Sequence, residues 1–336
     1  MTVASGVGSH PGDDQRAHDE AVRMVLDELP ELAYLPEMPG RGAPASMTGR
    51  ALAVMAELGA DLQPAGWRLT DAPGIDHRRA RSLLAQDLDE LEEQTQDYAG
   101  AFKVQVAGPW TLAATVERPR GDKVLADFGA RRELAQALAE GLTIHVADLR
   151  RRLPGGHRMV VQVDEPALVA VLAGAVPTAS GFGRHRTVHP PEASQALGWV
   201  LDAISGAGAE PWVHSCAPGT PLDLLRGAGA RGLSLDLAQL SARDHDEAAA
   251  ALDAGETVAL GVVPSTDPGT APTDGQVIES VLRWLEMLGL DPDGVGDRLV
   301  LTPACGLAGA SPTWPRQALA LLRASAAGVS GSVDGA

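Results

Sequence analysis

Short aliphatic runs alternate along this chain with longer stretches whose apolar positions recur at helical spacing. The runs at residues 3–8, 66–70, 103–107, 158–163, 211–214, 232–236, 257–261 and 298–301 read as strands. Residues 18–29, 46–58, 78–98, 128–153, 192–205, 221–227, 244–254, 276–288 and 314–326 read as amphipathic or apolar helices. No block repeats with a fixed period. Eight strands, each followed by a helix, in 336 residues is the count of an α/β fold of one kind, a single (β/α)8 TIM barrel. An open doubly wound sheet is the competing arrangement. The barrel is expected to occupy residues 1–327. The Gly/Ser-rich residues 328–336 are expected to form a disordered tail.

The residues with chemical potential fall where the predicted strands end. Ser9 and His10 follow the first, Asp71 the second and Gly108-Pro109-Trp110 the third. Asp164-Glu165-Pro166 follows the fourth, His214 and Cys216 close the fifth, and Asp236 closes the sixth. Ser265-Thr266-Asp267 follows the seventh and Cys305 the eighth. Barrel enzymes build their sites on that rim. Polar residues collect in any loop, but cysteine and histidine do not.

Composition narrows the partners. The aliphatic-rich, aromatic-poor makeup suits helices packed on buried strands. The net charge of −17 repels nucleic acid and anionic membrane surfaces, so neither is an expected partner. No apolar run is long enough to span a bilayer, and the first residues lack a basic, then apolar, leader pattern. A cytoplasmic location is the expectation. In that compartment the two cysteines, Cys216 and Cys305, stay reduced and suit metal or catalytic use better than a disulfide.

A lone cysteine is most often a small buried hydrophobe. Here, however, His214-Ser215-Cys216 places imidazole and thiol two positions apart, on the same side of an extended strand end. Cys305, at the mouth of the eighth strand, can reach the same point. Thiolate and imidazole form a donor set that suits Zn2+. Asp236, ending the neighbouring strand, is the candidate fourth ligand; its other role is to cap the following turn.

The segment Val161-Gln162-Val163-Asp164-Glu165-Pro166-Ala167-Leu168 resembles the catalytic barrel of cobalamin-independent methionine synthase. His214-Ser215-Cys216, Ser234-Leu235-Asp236 and Pro303-Ala304-Cys305-Gly306-Leu307 follow in that family's order and spacing. Gly6-Val7-Gly8-Ser9-His10-Pro11 looks like its substrate-carboxylate loop, and Val106-Ala107-Gly108-Pro109-Trp110-Thr111-Leu112 like its third-strand segment. The wider superfamily includes uroporphyrinogen decarboxylase and corrinoid:thiol methyltransferases, all barrels. The resemblance implies zinc held by His214, Cys216, Cys305 and, one methylene shorter than the family's glutamate, Asp236. It implies that Asp164 grips the amino group of homocysteine and that Ser9 sits in the loop holding its carboxylate. A zinc-bound thiolate would then accept a methyl group from a nitrogen or cobalt carrier.

Three departures qualify that reading. The family's full-length enzymes have two barrels, and this chain has room for one, as in the archaeal core type. The seventh-strand loop, Gly261-Val262-Val263-Pro264-Ser265-Thr266-Asp267, lacks the histidine that serves as the acid, so no catalytic residue is assigned. The family's His-Gly-Glu segment, whose glutamate also holds the homocysteine amine, has no counterpart in Thr70-Asp71-Ala72-Pro73-Gly74-Ile75-Asp76.

A zinc-dependent methyltransferase acting on a small thiol is the leading reading, with a corrinoid or methylfolate as the methyl carrier. Protonating a leaving amine needs an acid, whereas cobalt leaves a corrinoid as Co(I) without one. A non-catalytic zinc- and thiol-binding accessory protein is the alternative. A uroporphyrinogen decarboxylase-like enzyme would need an arginine-rich mouth, and Arg78-Arg79 and Arg150-Arg151-Arg152 fall on predicted helices, where charge usually faces solvent.

Overall fold

The computed structural model describes residues 1–153 and 158–331. Ten strands form in chain order: β1 (Val3–Ala4), β2 (Leu32–Tyr34), β3 (Gly59–Gln63), β4 (Gly66–Thr70), β5 (Ala101–Ala107), β6 (Met159–Asp164), β7 (Glu210–Ser215), β8 (Gly232–Asp236), β9 (Thr257–Val263) and β10 (Leu299–Pro303). Eight of them pair in parallel in the order β1-β10-β9-β8-β7-β6-β5-β2, with helices outside. This is the expected (β/α)8 barrel. Among the described residues, no helix is long and apolar enough to cross a membrane.

The barrel closes between β1 and β2. Ser5 Oγ donates to the Leu32 carbonyl at 3.0 Å. At the rim, Ser9 and Glu37 form a parallel bridge: Glu37 N donates to Gly8 O (3.0 Å) and His10 N to Glu37 O (2.7 Å).

One barrel strand differs from expectation. Residues 66–70 are β4, which pairs antiparallel with β3 in a separate two-stranded sheet. The alternation of Trp67 and Leu69 with Arg68 and Thr70 does mark a strand, but period alone does not say which sheet the strand joins. The second barrel strand is Leu32–Tyr34, three buried residues too short to show a period. The first strand pairs only over Val3–Ala4, shorter than residues 3–8.

The barrel interior is layered by strand parity. Residues two apart share a face, so Val160 lies below Gln162 and Asp164, Trp212 below His214, and Leu32 below Tyr34. Leu32, Val160, Trp212, Ala259 and Val300 form a small apolar cluster separate from the main core. Gly232 makes room for it: a Cβ there would meet the Trp212 ring at 2.3 Å. Above that plug the interior is polar, with Lys103, Gln105, Gln162, Asp164, His214 and Ser234 all buried. The helices pack their apolar stripes on the outer faces of the strands, burying Val161, Val163, Val213, Leu233 and Leu260. The last helix, Trp314–Gly331, continues into the segment read as a tail; residues 332–336 lie outside the described residues.

Candidate metal centre and adjoining cavity

His214, Cys216 and Cys305 meet at the barrel mouth. Their ligand atoms lie within 4.8 Å of one another. The two sulfurs are 2.8 Å apart, and Cys305 Sγ lies 3.8 Å from His214 Nε2. His214 Nδ1 lies 3.1 Å from the Ser234 carbonyl and 3.0 Å from its hydroxyl. A carbonyl can only accept, so Nδ1 carries the hydrogen and Nε2 turns its lone pair toward the thiols. This is the arrangement in which an outer partner fixes a ligating imidazole. A hydrogen bond from Cys305, then the neighbouring His214, pulls the Cys216 thiol below its ordinary range, while the same contact pushes Cys305 up. A thiolate, a thiol and an oriented imidazole are a donor set that fits zinc.

Asp236 stands apart from this cluster. Its carboxylate accepts from Ala238 N at 3.0 Å, capping the turn Leu237–Gln239. Among the described residues, the gathered ligand set is His214, Cys216 and Cys305 without it. The aspartate is engaged by the backbone two residues ahead, and it lacks the methylene that a longer acid would use to reach inward.

Beside the sulfurs opens a cavity of about 310 Å3 whose lining includes Ser9, Glu37, Met47, Asp164, Cys216 and Cys305. Ser9 is where the sequence placed it, and Leu307 N donates to its carbonyl at 2.8 Å, joining the first and eighth loops. Gly306 permits that approach, since a Cβ there would lie 2.1 Å from Ser9 Oγ. Asp164 is buried and accepts from Gln162 Nε2 at 2.7 Å. Burial pushes its carboxyl up, opposed by His214, Gln162 and Lys103. Its neighbour Glu165 points the other way and accepts from Trp110 N (2.9 Å) and Thr111 N (2.8 Å), capping the helix Pro109–Thr115. The acidic pair therefore divides into one cavity residue and one structural residue. Gly108-Pro109 is the entry to that helix.

Glu37 is the site residue that sequence reasoning missed. It follows β2 in Leu35-Pro36-Glu37, faces the cavity and is almost fully buried. Burial pushes its carboxyl up to about 7, with Arg50 opposing and Asp164 adding to the rise. Arg50 Nε lies 3.2 Å from Glu37 Oε1. Arg50 also donates to Asp87 at 2.6 Å, and Arg41 grips the same Asp87 with two bonds. The signal for Glu37 was its place just after a strand, and that strand was too short to be recognised. Asp71 follows β4 in the outer hairpin and does not line the cavity.

Neither Asp267 nor His10 replaces the missing histidine. Asp267 accepts from the Ser311 N–H at 2.6 Å and from its hydroxyl, which holds the carboxyl below its ordinary range. His10 turns into the barrel against the Tyr34 hydroxyl, and burial drives its imidazole down to about 3. The arginines of a decarboxylase mouth are absent from the cavity lining: Arg79 pairs with Asp76, Arg151 with Asp148, and Arg152 with Asp89 and Glu92 on the outer helices.

The fold and site define a parallel (β/α)8 barrel with a thiol–imidazole cluster, able to hold a metal ion, at its mouth and two buried acids beside it. The model of the cobalamin-independent synthase catalytic domain matches residues 91–328, and the chain belongs to that family. Among solved structures, a B12-independent methionine synthase from Shewanella sp. W3-18-1, in complex with selenomethionine, aligns over 100% of both chains with 15% identity and a TM-score of 0.65. A methylaspartate ammonia lyase from Clostridium tetanomorphum aligns over 99% of this chain and 60% of its own, with 14% identity and a TM-score of 0.46. A comparison with curated proteins gives no match.

Proposed function

We propose that this protein is a zinc-dependent methyltransferase that methylates the sulfur of homocysteine. The observation that carries this is the meeting of His214, Cys216 and Cys305 beside a cavity floored by Asp164 and Glu37. His214, Cys216 and Cys305 would hold the zinc, and the substrate sulfur would complete its coordination. Zinc, when bound, supplies Lewis acidity that keeps a thiol ionised at neutral pH. The match of residues 91–328 to the cobalamin-independent synthase catalytic domain supports the same reading.

The chain's own residues account for the rest of the recognition. Asp164 and Glu37 face the same space, where an α-ammonium would be held between them. Glu37, in Leu35-Pro36-Glu37, would supply a second carboxylate beside Asp164. Ser9, bridged to Glu37 across the barrel seam, sets the loop that would receive the α-carboxylate.

With Glu37, raised to about 7, engaged by the ligand's ammonium, a donor whose leaving group departs without a proton is favoured. Asp267 is held ionised and His10 neutral, so neither is an acid at pH 7. A methylated corrinoid meets that requirement and methylfolate does not. Incubation of the zinc-loaded protein with homocysteine and either methylcobalamin or methyltetrahydrofolate tests both points. Methionine is expected from methylcobalamin. Methionine from methylfolate alone would overturn the donor assignment. Homocysteine binding with turnover from neither donor would support the accessory-protein reading, which rests on the same missing acid.

A further inference from the structure

Lys103 is a fully buried lysine inside the barrel, 1% exposed, and the recognition described above leaves it without a role. Its ammonium donates to the Val7 carbonyl at 2.8 Å and lies 5.2 Å from the centre of the Tyr34 ring. Gln162 Nε2 donates to that same carbonyl at 3.0 Å while also bonding Asp164. Gln105 Nε2 donates to the Leu35 carbonyl at 2.6 Å, two residues before Glu37. The interior side chains of β5 and β6 thus fasten the two loops that carry Ser9 and Glu37.

The charges around the cavity pair off when Glu37 is ionised. Lys103, Arg50 and Arg41 stand against Asp164, Glu37 and Asp87. Arg41 and Arg50 are bound to Asp87 and Glu37. Lys103 is held at the cavity by its bond to the lining residue Val7, and the charges of Asp164 and Glu37 oppose the fall that burial imposes on its ammonium. A buried cluster with matched charge accepts a ligand of no net charge at its amino-acid end with little electrostatic change. An extra cation is disfavoured there, because unpaired charge is costly in a low-dielectric interior.

We propose that Lys103 is a specificity-determining and positioning residue. Its buried ammonium tunes the cavity for a zwitterionic thiol amino acid over a thiol amine, and its bond to Val7 sets the Ser9 loop against the ligand's carboxylate. The inference rests on the homocysteine reading. Removing the charge leaves Asp164 unmatched, with Arg41 and Arg50 still bound to Asp87 and Glu37, which suits a purely cationic ligand better. Specificity of this kind comes from the unfavourable partner as much as from the favourable one.

The test uses the zinc-loaded full chain and calorimetric titration with homocysteine and with mercaptopropylamine, which is homocysteine without its carboxylate. Wild type is expected to prefer homocysteine by about tenfold or more. Lys103→Met is expected to lower that preference by about tenfold, chiefly through weaker homocysteine binding, and Lys103→Arg to restore part of it. Zinc content equal to wild type shows that a variant has folded; Lys103→Gln, neutral but polar, stands in if Lys103→Met does not. Equal weakening of both ligands would mean a merely structural lysine and would overturn the assignment, as would an unchanged ratio. If zinc-loaded wild type binds neither thiol, the homocysteine reading fails first and the Lys103 assignment with it.

Discussion

Ser9 and Glu37 pair directly across the seam where the first and second strands close the barrel. The backbone bonds on either side of that bridge, from Glu37 to Gly8 and from His10 to Glu37, are part of the closure itself. Two groups assigned to the α-ammonium and the α-carboxylate of one small ligand are thereby spaced by the fold and not by flexible loops. Fixed spacing of this kind lowers the ordering cost of binding.

Glu37 gives this arrangement a pH signature. Its folded-state carboxyl, near 7, lies above the ordinary 4.5, so the folded protein holds a proton that the unfolded chain has released between those values. Stability contributed by that proton is lost as pH rises through the window from 4.5 to 7. Urea midpoints measured from pH 5 to 8 should fall less steeply for Glu37→Gln than for wild type, the gap across the range amounting to about 3 kcal/mol. Ammonium binding needs the ionised form, so homocysteine affinity in wild type should rise through pH 7. Parallel stability profiles for the two proteins would remove Glu37 from this role.

Asp236 is expected to matter to its turn and not to the metal. Asp236→Ala should cost about 0.5–1 kcal/mol of stability through the lost cap and leave zinc affinity within about threefold, against the 10- to 100-fold that a lost metal-site partner typically costs. A tenfold or greater loss of zinc affinity in a competition titration would place Asp236 on the metal.

Gly306 sits between the metal centre and the Ser9 loop. A methyl group there would collide with Ser9 Oγ. Gly306→Ala should weaken homocysteine binding by about tenfold or more while zinc content holds, because the Ser9 hydroxyl must turn away from its present position to relieve the contact. Unchanged affinity would show that the loop adjusts freely.

Most of the barrel was readable because six strands, from β5 to β10, carry short runs rich in buried apolar residues and bounded by turns. The metal centre was readable because His214 and Cys216 share a strand face and Cys305 follows the last strand. The second barrel strand was not, since Leu32–Tyr34 has too few residues to show a period, whereas β4 shows a clear one in the wrong sheet. That substitution hid Glu37 and sent the search for a second acid to Asp71. Asp236 was rightly placed at a strand end, but strand position alone does not reveal that a carboxylate is taken by a neighbouring backbone N–H. Lys103 gave no signal at all. A lysine in an aliphatic strand reads as an edge or solvent position, and its burial depends on acids brought in from two other strands.

The most direct test of the central claim is zinc content, measured by mass spectrometry of elements on protein purified without chelators. One zinc per chain is expected for wild type, with each of Cys216→Ser, Cys305→Ser and His214→Ala retaining little. Loss in both cysteine variants would show that residues 89 positions apart share one ion. A folded wild type that neither carries nor takes up zinc, or serine variants that keep it, would contradict the account.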